Sequence, residues 1–249
     1  MNFKDVISLT IPQGEVIQIQ DNLSRILWKK NTIDYSEPFW VENLSESIAD
    51  LTIGKSNQLA PSINIDYSFD GEDWQYLGDT GDDVLTLTLN EGEKVYLRAS
   101  VSSWAYYNQP ATYYNAIDMV EYGGGSQVEY GIGGNILSLL YGGDFNGQST
   151  FISGVGTHTF YGLFDGTLLM DASKLILPTN TVANCYRSMF NNCSNLNAIQ
   201  CLATDISASN CLYYWVGGVA ASGTFIKRVG VTFPSGVSGI PNNWTVESV

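Results

Sequence analysis

The chain has 249 residues, a formal net charge of −14 and only 14% charged residues, with 25 glycines and 15 tyrosines. That length permits a sizeable core in one or two domains, and the Gly- and Tyr-rich, Lys-poor composition points to a β-rich, turn-dense protein. The acidity argues against nucleic-acid binding, which needs a basic stripe, and the absence of any run of 18 apolar residues argues against a spanning helix.

Residues 1–30 read as a β-hairpin or a pair of extended segments. Ile7, Leu9 and Ile11 alternate, Pro12-Gln13-Gly14 interrupts, and Val16, Ile17 and Ile19 resume the apolar pattern. Asp21-Asn22-Leu23-Ser24 then turns into Arg25-Ile26-Leu27-Trp28. The pattern from Ile11-Pro12 through Gly14 and Val16 to Trp28 resembles the opening module of many phage virion proteins. That resemblance implies an attachment segment in which Ile7, Leu9, Ile11, Val16, Ile17 and Ile19 pair with another chain. The other reading makes these residues the first strands of the next domain.

Residues 31–130 read as an antiparallel β-sandwich. Short strands are expected over Phe39–Asn43, Asp50–Ile53, Ile63–Phe69, Trp74–Leu77, Val84–Leu89 and Lys94–Ala99, with turns at Asp70-Gly71-Glu72-Asp73 and Asn90-Glu91-Gly92-Glu93. The aromatic-rich stretch with Trp104, Tyr106, Tyr107, Tyr113 and Tyr114 reads as a long loop. Its rings either offer stacking faces for a sugar or a protein or pack down onto the fold. Tyr122-Gly123-Gly124-Gly125-Ser126 marks a seam, and a last strand is expected over Val128–Ile132. Charge changes here: residues 1–130 carry 7 Lys+Arg and 20 Asp+Glu, residues 131–249 only 4 and 5.

The remainder repeats itself. Blocks beginning at Ile136, Thr159, Cys185 and Cys211 are 23, 26 and 26 residues apart. Their second positions are Leu137, Phe160, Tyr186 and Leu212, their fifth Leu140, Leu163, Met189 and Trp215, and their sixth Tyr141, Phe164, Phe190 and Val216. The i, i+3, i+4 spacing within a block fits one face of a short helical turn. Short β-like runs follow at Thr150–Ile152, Leu175–Leu177, Gln200–Leu202 and Phe225–Lys227. One such unit cannot bury its own apolar face, so the units are expected to stack. The wording Leu175-Ile176-Leu177-Pro178, Asn184-Cys185-Tyr186 and Met189-Phe190-Asn191-Asn192-Cys193-Ser194-Asn195-Leu196 resembles the BspA-like leucine-rich repeats of Bacteroidales surface proteins and of the crAss-like tailed phages that infect Bacteroidales. The resemblance covers roughly the last 115 residues and implies a short repeat solenoid with a C-terminal cap at Gly239–Val246.

No catalytic constellation stands out. His158, the one histidine, has no G-x-S-x-G elbow to serve. Asp70, Glu72, Asp73, Asp79, Asp82 and Asp83 lack the fixed spacing of a Ca²⁺ loop, and two acidic turns explain them as well. Cys185, Cys193, Cys201 and Cys211 have no C-x-x-C pair, which points to reduced, packed thiols and no metal site. No cofactor is expected.

The expectation is therefore a mainly β protein in three parts: an attachment module (1–30), a β-sandwich (31–130) and a repeat region (131–249). A basic-then-apolar leader is not seen at Met1, and the first Cys is Cys185. Among the two habitats that the resemblance implies, this favours a phage virion protein assembled in the host cytoplasm and displayed as a head fibre or capsid decoration. Its expected partners are other virion proteins of capsid or tail, further copies of itself and a host-surface glycan, with neither nucleic acid nor membrane insertion. The alternative is a bacterial cell-surface adhesion or carbohydrate-binding module.

Overall fold

The computed structural model describes residues 18–20, 26–29, 33–81, 83–108 and 111–249, the side chains of 18–29, 107, 108 and 111 excepted. The chain divides into two compact units, Met1–Asp34 and Tyr35–Val249. In the first, β1 (Gln18–Gln20) and β2 (Ile26–Lys29) form an antiparallel hairpin with Ile19 opposite Trp28.

The second unit is mainly β. Alternating apolar residues give β3 (Trp40–Asn43), β4 (Ala49–Lys55), β5 (Asn64–Ser68), β6 (Gln75–Asp79), β7 (Leu85–Leu89) and β8 (Lys94–Ala99). In β8 the alternation is explicit: Val95, Leu97 and Ala99 are buried, and Lys94, Tyr96 and Arg98 point to the wetter face. β9 (Ala105–Asn108) and β10 (Ala111–Glu121) follow, then β11 (Tyr130–Asn135), β12 (Leu169–Ile176), β13 (Ala198–Cys201), β14 (Thr224–Lys227) and β15 (Thr245–Ser248).

Among the described residues these strands make two sheets. One is antiparallel, in the order β7-β4-β10-β9. The other has nine strands, in the order β15-β14-β13-β12-β11-β3-β8-β5-β6. The larger sheet changes sense at β11, which pairs antiparallel with β3 and parallel with β12. The change of charge near residue 130 thus coincides with a change of pairing sense inside one sheet, because Tyr130–Asn135 serves both sides.

The repeat blocks lie opposite the parallel strands, and most of them are not helical. The first block contributes the short helix α1 (Ser138–Tyr141), with Ser138, Leu139 and Leu140 buried. The next three are chains of turns with a residue at positive φ every fourth position: His158, Gly162, Gly166, then Asn184, Ser188, Asn192, then Asn210, Tyr214, Gly218. A left-handed residue at that interval cannot sit in a right-handed helix. It frees alternate backbone groups to bond between blocks instead. Phe160 N donates to Cys185 O at 2.9 Å and Phe164 N to Met189 O at 3.0 Å, and one block later Tyr186 N donates to Cys211 O at 3.0 Å and Phe190 N to Trp215 O at 2.8 Å. The expected strand at Thr150–Ile152 is absent among the described residues; β11 takes that place ahead of the first block.

The turn rows also continue the smaller sheet. Ile117 N on β10 donates to Leu163 O at 2.9 Å, and Trp104 N donates to Thr159 O at 2.8 Å. One hydrophobic core therefore runs between the nine-stranded sheet on one side and the smaller sheet plus turn rows on the other. Leu140, Leu163, Met189 and Trp215 are buried in it, as the aligned positions require. Aromatic rings run along its length: Phe39 to Phe164 at 6.2 Å, Phe164 to Phe190 at 5.7 Å, Phe190 to Trp215 at 5.8 Å and Trp215 to Phe225 at 6.1 Å. Two indoles close the far end: Trp215 Nε1 donates to Gly239 O and Trp244 Nε1 to Ala220 O, each at 2.8 Å. No helix among the described residues is long and apolar enough to cross a membrane.

Candidate functional site

The aromatic stretch expected as a loop is a hairpin. Tyr107 lies opposite Thr112, Tyr106 opposite Tyr113 and Ala105 opposite Tyr114. Tyr and Thr favour a pleated surface, and cross-strand aromatic pairs stabilise one. The five expected binding residues separate. Trp104 is fully buried, with Nε1 donating to Leu139 O at 2.7 Å, so it belongs to the core and offers no stacking face. Tyr106 is exposed at 53% and borders an open cleft of about 600 Å³ with Leu59, Pro61, Ser102, Gly156 and Thr157. Tyr107 contributes backbone to β9, and its side chain lies outside the described residues. Tyr113 and Tyr114 are half-buried.

Tyr114 leads to a surface row that the sequence reading did not single out. Its ring lies 5.4 Å from that of Tyr161, in space left open by Gly162, where a Cβ would meet the Tyr114 ring at 2.9 Å. Burial raises the Tyr114 phenol above its ordinary range, and the Asp165 carboxylate adds to the effect. Tyr161, Arg187 and Tyr213 hold the third position of successive blocks. The coil-to-coil bonds from Gly162 N to Arg187 O at 3.1 Å and from Ser188 N to Tyr213 O at 3.0 Å set them side by side. The Arg187 guanidinium lies 4.7 Å from the centre of the Tyr213 ring and 5.9 Å from that of Tyr161, within the range where a cation is attracted to an aromatic face. Tyr214 extends the row, 4.9 Å from Tyr213. Tyr213 and Tyr214 are 43% and 47% exposed. Beside the row, Asn191 Nδ2 donates to Asp165 Oδ1 at 2.9 Å. The 26-residue step from Tyr161 to Arg187 to Tyr213 was the available signal, on the outward positions of the same alignment that predicted the buried ones.

The remaining candidates resolve locally. His158 is buried beside Arg187, and desolvation followed by the Arg187 charge lowers its pKa. The Asp70 carboxylate accepts from the backbone N–H groups of Glu72 and Asp73, each at 2.8 Å, so it closes its own turn. Among the described residues no three His, Cys, Asp or Glu side chains are grouped to hold a metal ion. All four cysteines are buried and free. Burial pushes the Cys193 and Cys201 thiols up to about 12 and raises Cys185 and Cys211 as well. Ile7, Leu9, Ile11, Val16 and Ile17 lie outside the described residues, and Ile19 is placed on β1 by its backbone. No family model, curated protein or solved structure matches this chain.

Proposed function

We propose that this chain is a non-enzymatic structural protein of a phage particle, displayed on the exterior as a head fibre or capsid decoration. In this reading residues 131–249 are a short BspA-like leucine-rich-repeat solenoid, and residues 1–30 attach the chain to capsid or tail. The observation that carries the reading is the division of the chain into a small N-terminal unit and a much larger body. An isolated two-stranded hairpin is marginal in water and gains from strand addition to a partner. The acidic first half keeps copies apart before assembly.

Deletion of residues 1–30 tests this. The truncated chain should keep the circular dichroism of the folded body and be missing from purified particles, whereas the full chain co-purifies with them at a fixed copy number. Normal incorporation of the truncated chain defeats the attachment role.

A second reading, a cell-surface adhesion or carbohydrate-binding module, draws on the exposed Tyr213 and Tyr214 of the surface row. It predicts cell-envelope fractionation and no association with particles.

A further inference from the structure

We propose that the row Tyr114–Tyr161–Arg187–Tyr213–Tyr214 binds an acidic oligosaccharide, with the tyrosine rings stacking on sugar faces and the guanidinium pairing with a sugar carboxylate. The inference goes beyond the virion reading and stands whether or not the chain belongs to a particle.

The argument begins with Arg187. In a chain of net charge −14, carboxylates are plentiful as partners. Lys94 has Glu37 and Arg98 has Asp66, yet Arg187 has no such partner among the described residues. Its Nε is buried with no hydrogen-bond acceptor, so the two Nη groups are the ones that an anion arriving from solution can meet. A guanidinium held between two rings keeps a fixed orientation and loses little freedom when an anion arrives. Its remaining need is a planar acceptor, and a carboxylate is the group that its fork geometry fits.

The rings supply the rest of the chemistry. Tyrosines present flat apolar faces with polar tips, which suits the C–H faces of a pyranose and its hydroxyls together. Asp165 and Asn191, hydrogen-bonded to each other beside the row, add a carboxylate and an amide within reach of those hydroxyls. The row is held on rigid coils by backbone bonds, so little ordering is required on binding.

Tyr214 is an independent sign. Its φ is +53°, and the equivalent positions in the two preceding blocks are Gly162 and Ser188. A bulky aromatic in left-handed backbone is rare, and a strained residue at a surface site is a pointer to function. Tyr214 is 47% exposed and is not one of the residues packed into the hydrophobic core. Four of the five residues, Tyr161, Arg187, Tyr213 and Tyr214, lie in the part of the chain with 4 Lys+Arg against 5 Asp+Glu, and Tyr114 alone comes from the acidic first half.

The test uses the full-length protein and defined probes: tetragalacturonate as the acidic oligosaccharide and cellotetraose as the neutral one, titrated calorimetrically. Affinity electrophoresis through polygalacturonate, alginate and dextran gels widens the set. Tetragalacturonate should bind at least tenfold more tightly than cellotetraose, and the difference should shrink as salt is raised. Arg187→Gln should lower tetragalacturonate affinity at least tenfold, and Tyr213→Ala severalfold for either probe. Tyr122→Ala, which removes an exposed ring elsewhere, should change neither. Unchanged thermal melting checks that each variant folds.

Absence of binding to every acidic probe overturns the proposal, as does binding that survives both Arg187→Gln and Tyr213→Ala. Self-association lost in those variants without any glycan binding would make the row a contact between copies, which also overturns it. None of these outcomes bears on whether deletion of residues 1–30 blocks incorporation into particles.

Discussion

Trp104 Nε1 donates to the carbonyl of Leu139 at 2.7 Å, inside the core, across 35 residues of sequence. The bond joins the residue just ahead of the aromatic hairpin to the first repeat block. Trp104→Phe keeps an aromatic ring and leaves that buried carbonyl unpaired, a change worth about 1–3 kcal/mol. Urea unfolding should show the loss in midpoint without a change in slope. Tetragalacturonate binding should be unaffected in the folded variant.

Phe190 is stacked on Phe164 with the ring planes 8° apart and contacts Trp215 on its other side. Phe190→Ala removes the middle ring of a continuous row and should destabilise the protein by about 3–5 kcal/mol. Met189→Asp, at the adjacent buried position, should be worse, because a charge placed there has no partner. Thermal denaturation of the two variants ranks them.

Ser188 occupies left-handed backbone at a φ of +55°, where the equivalent residue one block earlier is glycine. Ser188→Gly should stabilise the fold by up to about 1 kcal/mol, since relief of the Cβ conflict outweighs the added freedom of the unfolded chain. Ser188→Val should act in the opposite sense. For a chain of this size, 1 kcal/mol moves the melting temperature by about 2–4 °C, within reach of calorimetry.

The thiols give a chemical test. Cys185, Cys193, Cys201 and Cys211 are buried, and desolvation holds each thiol protonated well above neutral pH. The thiolate is the reactive form. A disulfide exchange reagent at pH 8 should therefore react slowly with the native protein and count four thiols after denaturation. Fewer than four would reveal a covalent link.

Asp70 predicts a pH response. Backbone N–H groups of Asp73 and Glu72 lower its pKa to about 2 from an ordinary 3.8. A carboxylate with a depressed folded pKa contributes stability above its unfolded pKa and loses it as pH falls through the folded one. The loss should fall between about pH 4 and pH 2. Asp70→Asn, which lacks that titration, should show a shallower fall of melting temperature over the same window.

The strands between Trp40 and Ala99 were legible because alternation has one cause there, a sheet with one dry face, whereas β9 and β10 were not, their crowded aromatics reading as a loop. The buried row Leu140–Leu163–Met189–Trp215 was legible too, because recurrence at steps of 23, 26 and 26 residues demands stacking. The local shape of the blocks was not. Over one block, a helix of 3.6 residues per turn and a chain of four-residue turns bury the same positions, such as Phe160, Leu163 and Phe164. The discriminating residues were Asn184, Asn192, Gly162 and Gly166, types that tolerate left-handed backbone. Trp104 shows a different limit. Whether its ring faces solvent or core depends on a carbonyl in another element, and no local pattern in 102–114 carries that information. In the candidate site, Tyr114 stands out by its aromatic-rich neighbourhood, while Tyr161, Arg187 and Tyr213 do not, because outward positions of a repeat are free to vary and share no single residue type.

The bonds between blocks run backbone to backbone, from residue to residue 25 positions on, as from Phe160 N to Cys185 O and from Tyr186 N to Cys211 O. Such bonds are blind to side-chain identity. A unit of 26 residues spliced in whole between two blocks meets the same donors and acceptors on each side as the units already there. Each insertion would lengthen the stack by one strand spacing, about 4.8 Å, and add one more outward third position to the surface row. Reach and number of contact points would then grow together, by gene duplication alone, with both ends of the molecule left as they are.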